Sequence, residues 1–237
     1  MSQRKMMTEK TYSKHVGEKF NPDGSARLFP GNTILCHVAP DSATMASLQQ
    51  FYKAILKEPW VTNYAMLPPS SYHMTVFDLV CDQVRKRENW TSLLPIDSPM
   101  EVVDAMVMEH WLDAPEPPQP KVMLDSLEIG DYITMRLKPK DEASDRQLRD
   151  YRDALSILFG IRHPNHESYF FHLTYAYGIT SLEPSEKAAI AKFVEAWEPL
   201  LKKDLSMLAL EPPVLRFFAD MTHFTPTRAG AYQNVTE

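Results

Sequence analysis

The sequence has only two cysteines and no long apolar run, and each of these absences excludes a class of protein. Cys36 and Cys81 are too few for a disulfide framework or a cysteine zinc site, so we expect free thiols, with Cys36 buried in an apolar strand. No apolar stretch approaches the length of a membrane span, and the first ten residues lack the apolar core of a signal peptide. The sequence therefore predicts a soluble, cytoplasmic protein.

Basic residues are scarce relative to acidic ones. The 237 residues include 25 Lys and Arg against 31 Asp and Glu, which gives a formal net charge of −6. Tight binding to long nucleic acid requires many cationic contacts with phosphates. The composition therefore argues against a long RNA or DNA partner, whereas a small phosphate ester needs only a few local cations.

Metal-ligand patterns are also missing. The sequence contains no His-Glu-x-x-His and no aspartate cluster with ligand spacing. His163 and His166 have the spacing of some metal ligands, but no carboxylate or cysteine completes the pattern, and we expect a polar loop there. We predict neither a metal ion nor a cofactor.

A repeated motif is the main positive feature of the chain. Residues 71–77 read Ser-Tyr-His-Met-Thr-Val-Phe, and residues 170–177 read Phe-Phe-His-Leu-Thr-Tyr-Ala-Tyr. Both contain an aromatic residue followed by His-x-Thr and an apolar residue. The two histidines, His73 and His172, are 99 residues apart.

The same offset aligns a second pair of segments. Residues 34–40 superpose on residues 133–139, so each motif histidine follows an equivalent isoleucine by 39 residues. A third His-x-Thr, at His223, lies outside this register and is followed by Pro226. The register therefore selects His73 and His172, not the tripeptide alone.

Strand alternation predicts how these motifs are presented. Residues i and i+2 of a β-strand point to the same face. His73 would therefore share a face with Thr75, and His172 with Thr174. Each half of the chain then offers an imidazole beside a hydroxyl. The intervening residues, which we expect on the opposite face, are Met74, Val76, Leu173 and Tyr175.

The proline-rich segment 113–121 separates the two halves and is expected to be a stiff connector. We predict an N-terminal arm at residues 1–31 and one domain at residues 32–237, with lobes at about 32–112 and 122–222. The arm either carries cations over the cleft or, as we favour, is a solvated extension wrapped on the core. Its basic residues are Lys14, His15, Lys19 and Arg27.

Hydrophobic periodicity and turn residues predict the individual elements. Helices are expected at residues 42–58, capped by Asp41 or Ser42, at 82–90, at 142–159, closed by Gly160, and at 185–201, capped by Ser185. Strands are expected at residues 32–39, 73–80, 100–111, 122–129, 131–137, 168–179, 205–210 and 214–222. Both halves share the order strand, helix, His-bearing strand, helix, strand. This order predicts an α+β fold with a pseudo-twofold axis, antiparallel sheets lining a central cleft and helices outside.

Two facing imidazoles can perform acid and base catalysis near neutral pH, because one removes a proton while the other donates one. Hydrolysis of a phosphodiester needs this pairing, and Thr75 and Thr174 are placed to stabilise charge on the phosphate oxygens. The alternative is a pair of hydrogen-bonded core histidines. His37 and Arg136 occupy equivalent positions of the repeat and are further candidates for the cleft, although surface positions are equally compatible.

The two motifs resemble those of the two-histidine phosphoesterase superfamily, which includes cyclic nucleotide phosphodiesterases and RNA 2′,3′-cyclic phosphodiesterase/ligase-like proteins. The resemblance spans about residues 32–222, and the preceding segment is similar to an uncharacterised bacterial and fungal branch. It implies a bilobal α+β fold, metal-independent catalysis by His73 and His172, and phosphate binding by Thr75 and Thr174.

We therefore predict a metal-independent phosphodiesterase that acts on a small cyclic or oligonucleotide-like phosphodiester. The alternatives are an RNA end-processing cyclic phosphodiesterase or ligase and a non-catalytic nucleotide-binding module. Intact histidines in both halves argue against the last, because a binding module needs no matched acid and base. The sequence leaves open the substrate, the oligomeric state and which histidine is the acid.

Overall fold

The computed structural model describes residues 11–233, so the first ten residues of the expected arm and the last four of the expected domain lie outside it. The described residues form eight strands and five α-helices. These are β1 (Gly31–His37), α1 (Ala43–Ile55), β2 (Tyr64–Met66), β3 (His73–Cys81), α2 (Met100–Trp111), β4 (Val122–Ile129), β5 (Tyr132–Pro139), α3 (Glu142–Phe159), β6 (Phe171–Gly178), α4 (Pro184–Asp204), β7 (Val214–Phe218), β8 (Phe224–Thr225) and α5 (Arg228–Ala231).

Two four-stranded antiparallel sheets form the centre of the molecule, as the α+β prediction requires. One has the order β3-β1-β7-β8 and the other the order β2-β6-β5-β4. The motif strands β3 and β6 contact each other where the sheets meet. Within residues 11–233, no helix is both long and apolar enough to cross a lipid bilayer.

The internal repeat is reproduced in the strand pairing. His37 lies opposite His73 in the β1/β3 pair, and Arg136 lies opposite His172 in the β5/β6 pair. Each pair also contains an irregularity at the same repeat position, between Ile34 and Leu35 in one and between Ile133 and Thr134 in the other. The 99-residue offset therefore describes a structural duplication, including its β-bulge.

Each sheet takes strands from both halves of the sequence. The short strand β2 precedes the first motif but pairs with β6, and β7 follows the second motif but pairs with β1. Sequence analysis missed β2, which has only three residues and follows a 3-10 helix at Pro59–Asn63. The division of the domain into lobes stays a prediction.

The expected strand at residues 100–111 is wrong, because this segment forms α2. Apolar residues occur here at both strand and helix spacings, so periodicity alone does not separate the two structures. Tertiary contacts decide between them. Val103 and Val107, one helical turn apart, are fully buried, while Val102 and Met108 are 46% and 53% exposed.

Three smaller predictions also need correction. Residues 82–90 contain only a 3-10 helix at Arg87–Asn89, and residues 205–210 contribute an isolated bridge at Leu210 instead of a strand. The N-cap of α4 is Glu183, which forms a capping box with Glu186, and not Ser185. Pro184 occupies the first helical position, where a missing N–H costs nothing, so the helix begins earlier than predicted.

Helices α1 and α3 agree with the predictions because their ends have clear local signals. Ser42 caps α1 by accepting a hydrogen bond from the Met45 amide, and Asp141 caps α3 through the Ser144 amide. Gly160 ends α3 in the left-handed conformation, with φ of 61°. Both cysteines are free thiols, and Cys36 is buried as expected.

Candidate active site

A cavity of about 720 Å³ is lined by both motif strands and by part of the N-terminal segment. His73, Thr75, His172 and Thr174 are all in its wall. The structure therefore brings together the four residues that sequence analysis selected. Their neighbours on the opposite strand face, Met74, Val76, Leu173 and Tyr175, are fully buried, which confirms the predicted alternation.

The two imidazoles are oriented in the same way. Nδ1 of His73 lies 2.6 Å from the carbonyl oxygen of Ser71, and Nδ1 of His172 lies 3.3 Å from that of Phe170. A carbonyl oxygen only accepts hydrogen bonds, so each Nδ1 carries the proton that it donates. Each neutral ring then has its lone pair on Nε2, which is the nitrogen available for proton transfer.

The two histidines differ in their surroundings. The ring of His73 packs 4.3 Å from that of Phe224, and its carbonyl contact is partly buried, whereas the contact of His172 is exposed. Burial lowers the pKa of His73 to about 4, helped by the nearby charges of His37 and His172 and opposed by the Ser71 hydrogen bond. His73 is therefore neutral at physiological pH.

The threonine hydroxyls of the motifs are available to a ligand. Thr33 and Thr134, on neighbouring strands, donate to main-chain carbonyls at 3.2 Å and 3.0 Å. Among residues 11–233, by contrast, the hydroxyls of Thr75 and Thr174 have no hydrogen-bond partner, although both line the cavity. Each can donate its proton to a phosphate oxygen.

His37 and Arg136 do not line this cavity, although each lies opposite a motif histidine. His37 accepts a hydrogen bond from Nε of Arg216 at 3.1 Å, and burial together with this guanidinium lowers its pKa to about 4. Arg136 pairs with Glu128 at 3.3 Å and lies 4.1 Å above the ring of Phe170, where it lines a separate depression. Both side chains are held by partners from other elements.

Several cavity residues were not identified from the sequence. Glu18 and Lys19 reach the cavity from the N-terminal segment, which is packed on the core through the buried side chains of His15 and Phe20. Residues 11–31 therefore pack on the core and also contribute side chains to the cleft, and the assignment of a separate arm stays a prediction. No local pattern signals this, because the contact joins residues far apart in the chain.

Asp78 and Tyr177 also line the cavity and are equivalent under the 99-residue offset. Each lies five residues after its motif histidine. An odd spacing would normally place it on the opposite strand face, but the β-bulge between them returns it to the face of the histidine. This pair could have been found by extending the repeat beyond the motif. The predicted polar loop at residues 163–166 also contributes, since Nε2 of His163 donates to the Asp78 carbonyl at 2.9 Å.

A buried arginine supports the motif strand β3 from behind. Arg152 of α3 is 1% exposed and donates hydrogen bonds to the carbonyls of Val76 and His166. Its guanidinium also lies 4.0 Å from the ring centroid of Tyr169, which is part of the cavity wall. Arg152 therefore connects α3, β3 and the loop that precedes β6.

Possible metal ligands do not cluster in the described part of the chain. Residues 11–233 contain no group of three or more His, Cys, Asp or Glu side chains that could hold a metal ion. The chemistry of the cavity is instead that of two imidazoles and two hydroxyls.

Comparison with known proteins finds one matching family model and a solved structure of the same fold. The family model named 2H-phosphodiest, described as a domain of unknown function (DUF1868), matches residues 19–129, a range that includes the first motif. The chain is also similar to the crystal structure of a conserved protein of unknown function from Agrobacterium tumefaciens. The two are 28% identical with a TM-score of 0.85, and the match covers 91% of each chain. No curated protein matches the chain.

Proposed function

Since the family model that matches residues 19–129 is named 2H-phosphodiest, we propose that the chain is a two-histidine, metal-independent phosphodiesterase acting on a small cyclic or oligonucleotide-like phosphodiester. The observation that carries this proposal is the shared cavity of His73, Thr75, His172 and Thr174. Each imidazole is held through Nδ1 and leaves Nε2 for proton transfer. The two halves of the duplicated domain then form one catalytic unit.

In the proposed reaction, one histidine removes a proton from water as the water oxygen attacks phosphorus. The bond from phosphorus to the leaving oxygen breaks, and the other histidine gives its proton to that oxygen. Thr75 and Thr174 donate hydrogen bonds to the non-bridging oxygens, where negative charge accumulates. The scheme needs no Lewis acid, because the two imidazoles provide both proton transfers.

We assign the base to His73 and the acid to His172. A general base must be unprotonated at the working pH, and the pKa of His73, lowered to about 4, keeps it so. The acid must begin the reaction protonated. His172, the other motif imidazole in the wall of the cavity, takes this role.

The lining of the cavity favours a small substrate over RNA. Enzymes that process RNA ends contact several phosphates through basic residues. Within the described chain, Lys19 is the only lysine or arginine that lines the cavity, and three carboxylates line it as well. A non-catalytic nucleotide-binding module would not require two equivalent imidazoles with free Nε2 atoms.

The test is hydrolysis of a panel of phosphodiesters, including 2′,3′-cyclic nucleotides, in excess EDTA. We expect activity that survives chelation and falls by roughly 10²–10⁴-fold in both His73→Ala and His172→Ala, which is the usual contribution of a general acid or base. His223→Ala is the matched control, because His223 belongs to the third His-x-Thr and does not line the cavity.

Two results would contradict the proposal. One is activity that EDTA abolishes and a divalent metal ion restores. The other is activity that the His73 and His172 variants retain while remaining folded.

A further inference from the structure

The cavity carries an unusual balance of charge for a site that would bind a phosphate ester. Its acidic lining residues are Glu18, Asp78 and Glu128, of which Glu128 is neutralised by Arg136 at 3.3 Å. Among residues 11–233, neither Glu18 nor Asp78 forms an ion pair, and Lys19 is the single basic side chain opposing them. Apart from the histidines, the cavity thus has one ammonium against two carboxylates.

Lys19 is held without a carboxylate partner in the described part of the chain. Its Nζ lies 4.8 Å from the ring centroid of Phe29 and 5.2 Å from that of Tyr177. Aromatic faces attract the ammonium but offer it no hydrogen-bond acceptor. Its three N–H donors therefore stay available to a ligand in the cavity.

Lys19 and Asp78 lie towards the end of the cavity that is distant from the histidines. Asp78 follows His73 by five residues and Tyr177 follows His172 by five, which corresponds to roughly 16 Å along an extended strand. The Asp78 and Glu18 carboxylates raise the pKa of Tyr177, in addition to the larger effect of burial, so both are close to that ring.

At this distant end the two halves of the repeat differ. His73 matches His172 and Thr75 matches Thr174, but Asp78 takes the place that Tyr177 has in the other half. The reacting phosphate therefore meets one His and one Thr from each half, whereas the rest of the substrate meets Asp78 from one half and Tyr177 from the other. This asymmetry gives the substrate one orientation.

We propose that this end of the cavity binds the uncharged organic part of a singly charged phosphodiester, with Lys19 as donor and Asp78 and Glu18 as acceptors. The inference depends on the proposed function and narrows its substrate class. A nucleoside matches the chemistry, because its hydroxyl and amino groups donate hydrogen bonds and its ring nitrogens and carbonyls accept them. A second phosphate is disfavoured, because two carboxylates repel it and only one cation attracts it.

The experiment compares two ligands that differ by one phosphate. Adenosine 2′,3′-cyclic phosphate and its 5′-phosphorylated analogue are titrated calorimetrically in EDTA into the full chain carrying His172→Ala, which slows turnover during the titration. We expect the singly charged ligand to bind at least about tenfold more tightly, and Asp78→Asn to reduce this preference several-fold. Asp97→Asn, which removes an exposed charge outside the cavity, should leave the preference unchanged.

Lys19→Met removes the proposed ammonium donor with little loss of packing on the rings of Phe29 and Tyr177. We expect it to weaken binding of both ligands by about tenfold, the effect of losing one charged hydrogen bond. Lys14→Met is the matched control, since Lys14 belongs to the same segment and lies 5.8 Å from the Tyr132 ring but does not line the cavity.

Three results would overturn the inference. They are tighter binding of the doubly charged analogue, equal effects of Lys19→Met and Lys14→Met, and no binding of either ligand. Binding is measured independently of turnover, so these results differ from a failure of the proposed function, which appears as absent hydrolysis by the unmodified chain.

Discussion

His73 and His172 have the same motif and the same carbonyl contact, but burial separates their chemistry. Burial lowers the pKa of His73 from its ordinary value of 6.5 to about 4. The loss of hydration is the main cause, since a buried imidazolium is less stable than a solvated one. In the proposed mechanism this asymmetry assigns the two roles.

The assignment predicts the pH dependence of the reaction. The acidic limb of kcat/KM reports the base of the free enzyme, so it should fall near pH 4 and not near 6.5. The measurement is kcat/KM from pH 3.5 to 9 in buffers of constant ionic strength. An acidic limb near 6.5 would show that His73 is not the base, provided that circular dichroism shows the protein folded throughout.

At the scale of elements, α3 illustrates how one helix supports the site. Its apolar face was predictable, because Leu148, Tyr151 and Leu155 recur at helical spacing and are buried. Arg152 was not predictable as a core residue, since arginine is almost never fully buried unless it is paired. Its partners are main-chain carbonyls of β3 and of the loop before β6, which only the folded chain brings together.

Replacing Arg152 with methionine should destabilise the protein by about 2–4 kcal/mol. The variant leaves the carbonyls of Val76 and His166 without this donor, and each unsatisfied buried group costs about 1–3 kcal/mol. Urea unfolding at pH 7 measures the change. Arg146→Met is the control on the same helix, because the Arg146 side chain is 69% exposed and its ion pair with Glu142 is weak. Equal stabilities of the two variants would contradict this role for Arg152.

Helix α2 shows the opposite case, in which local sequence misleads. Its polar residue Asp104 is buried and accepts hydrogen bonds from Asn32 at 2.9 Å and from Arg228 at 2.7 Å and 2.8 Å. These partners come from β1 and α5, at distant positions in the sequence. The network fixes α2 against the first sheet, whereas the apolar composition of the segment is compatible with either structure.

For the molecule as a whole, buried histidines make stability depend on pH. Burial lowers the pKa of His15, His37 and His73, the latter two to about 4. An unfolded chain protonates these imidazoles below pH 6.5, whereas the folded chain does not until lower pH. The unfolded state therefore binds more protons in this window, and the free energy of unfolding decreases as the pH falls through it.

Between pH 7 and pH 4.5, we expect the free energy of unfolding to decrease by roughly 1–2 kcal/mol for each of His37 and His73. Urea unfolding at both pH values measures the loss. His37→Gln, which removes one of the imidazoles with a lowered pKa, should make this loss smaller. Stability that is constant over this range would contradict the lowered pKa values.

The sequence by itself determined the duplicated core of this protein. The 99-residue offset, strand alternation and helix caps depend on residues that are close in the chain, and they correctly placed His73, Thr75, His172 and Thr174 on strand faces that share a cavity. Alternation follows from strand geometry alone, which is why it could be predicted without a structure.

Only the tertiary structure decided what surrounds this core. The contact of His37 with Arg216 and the position of Lys19 at Tyr177 join residues that are far apart in the sequence. The exchange of β2 and β7 between the sheets is of the same kind. Such contacts arise from packing and charge in the folded chain, and local periodicity contains no information about them.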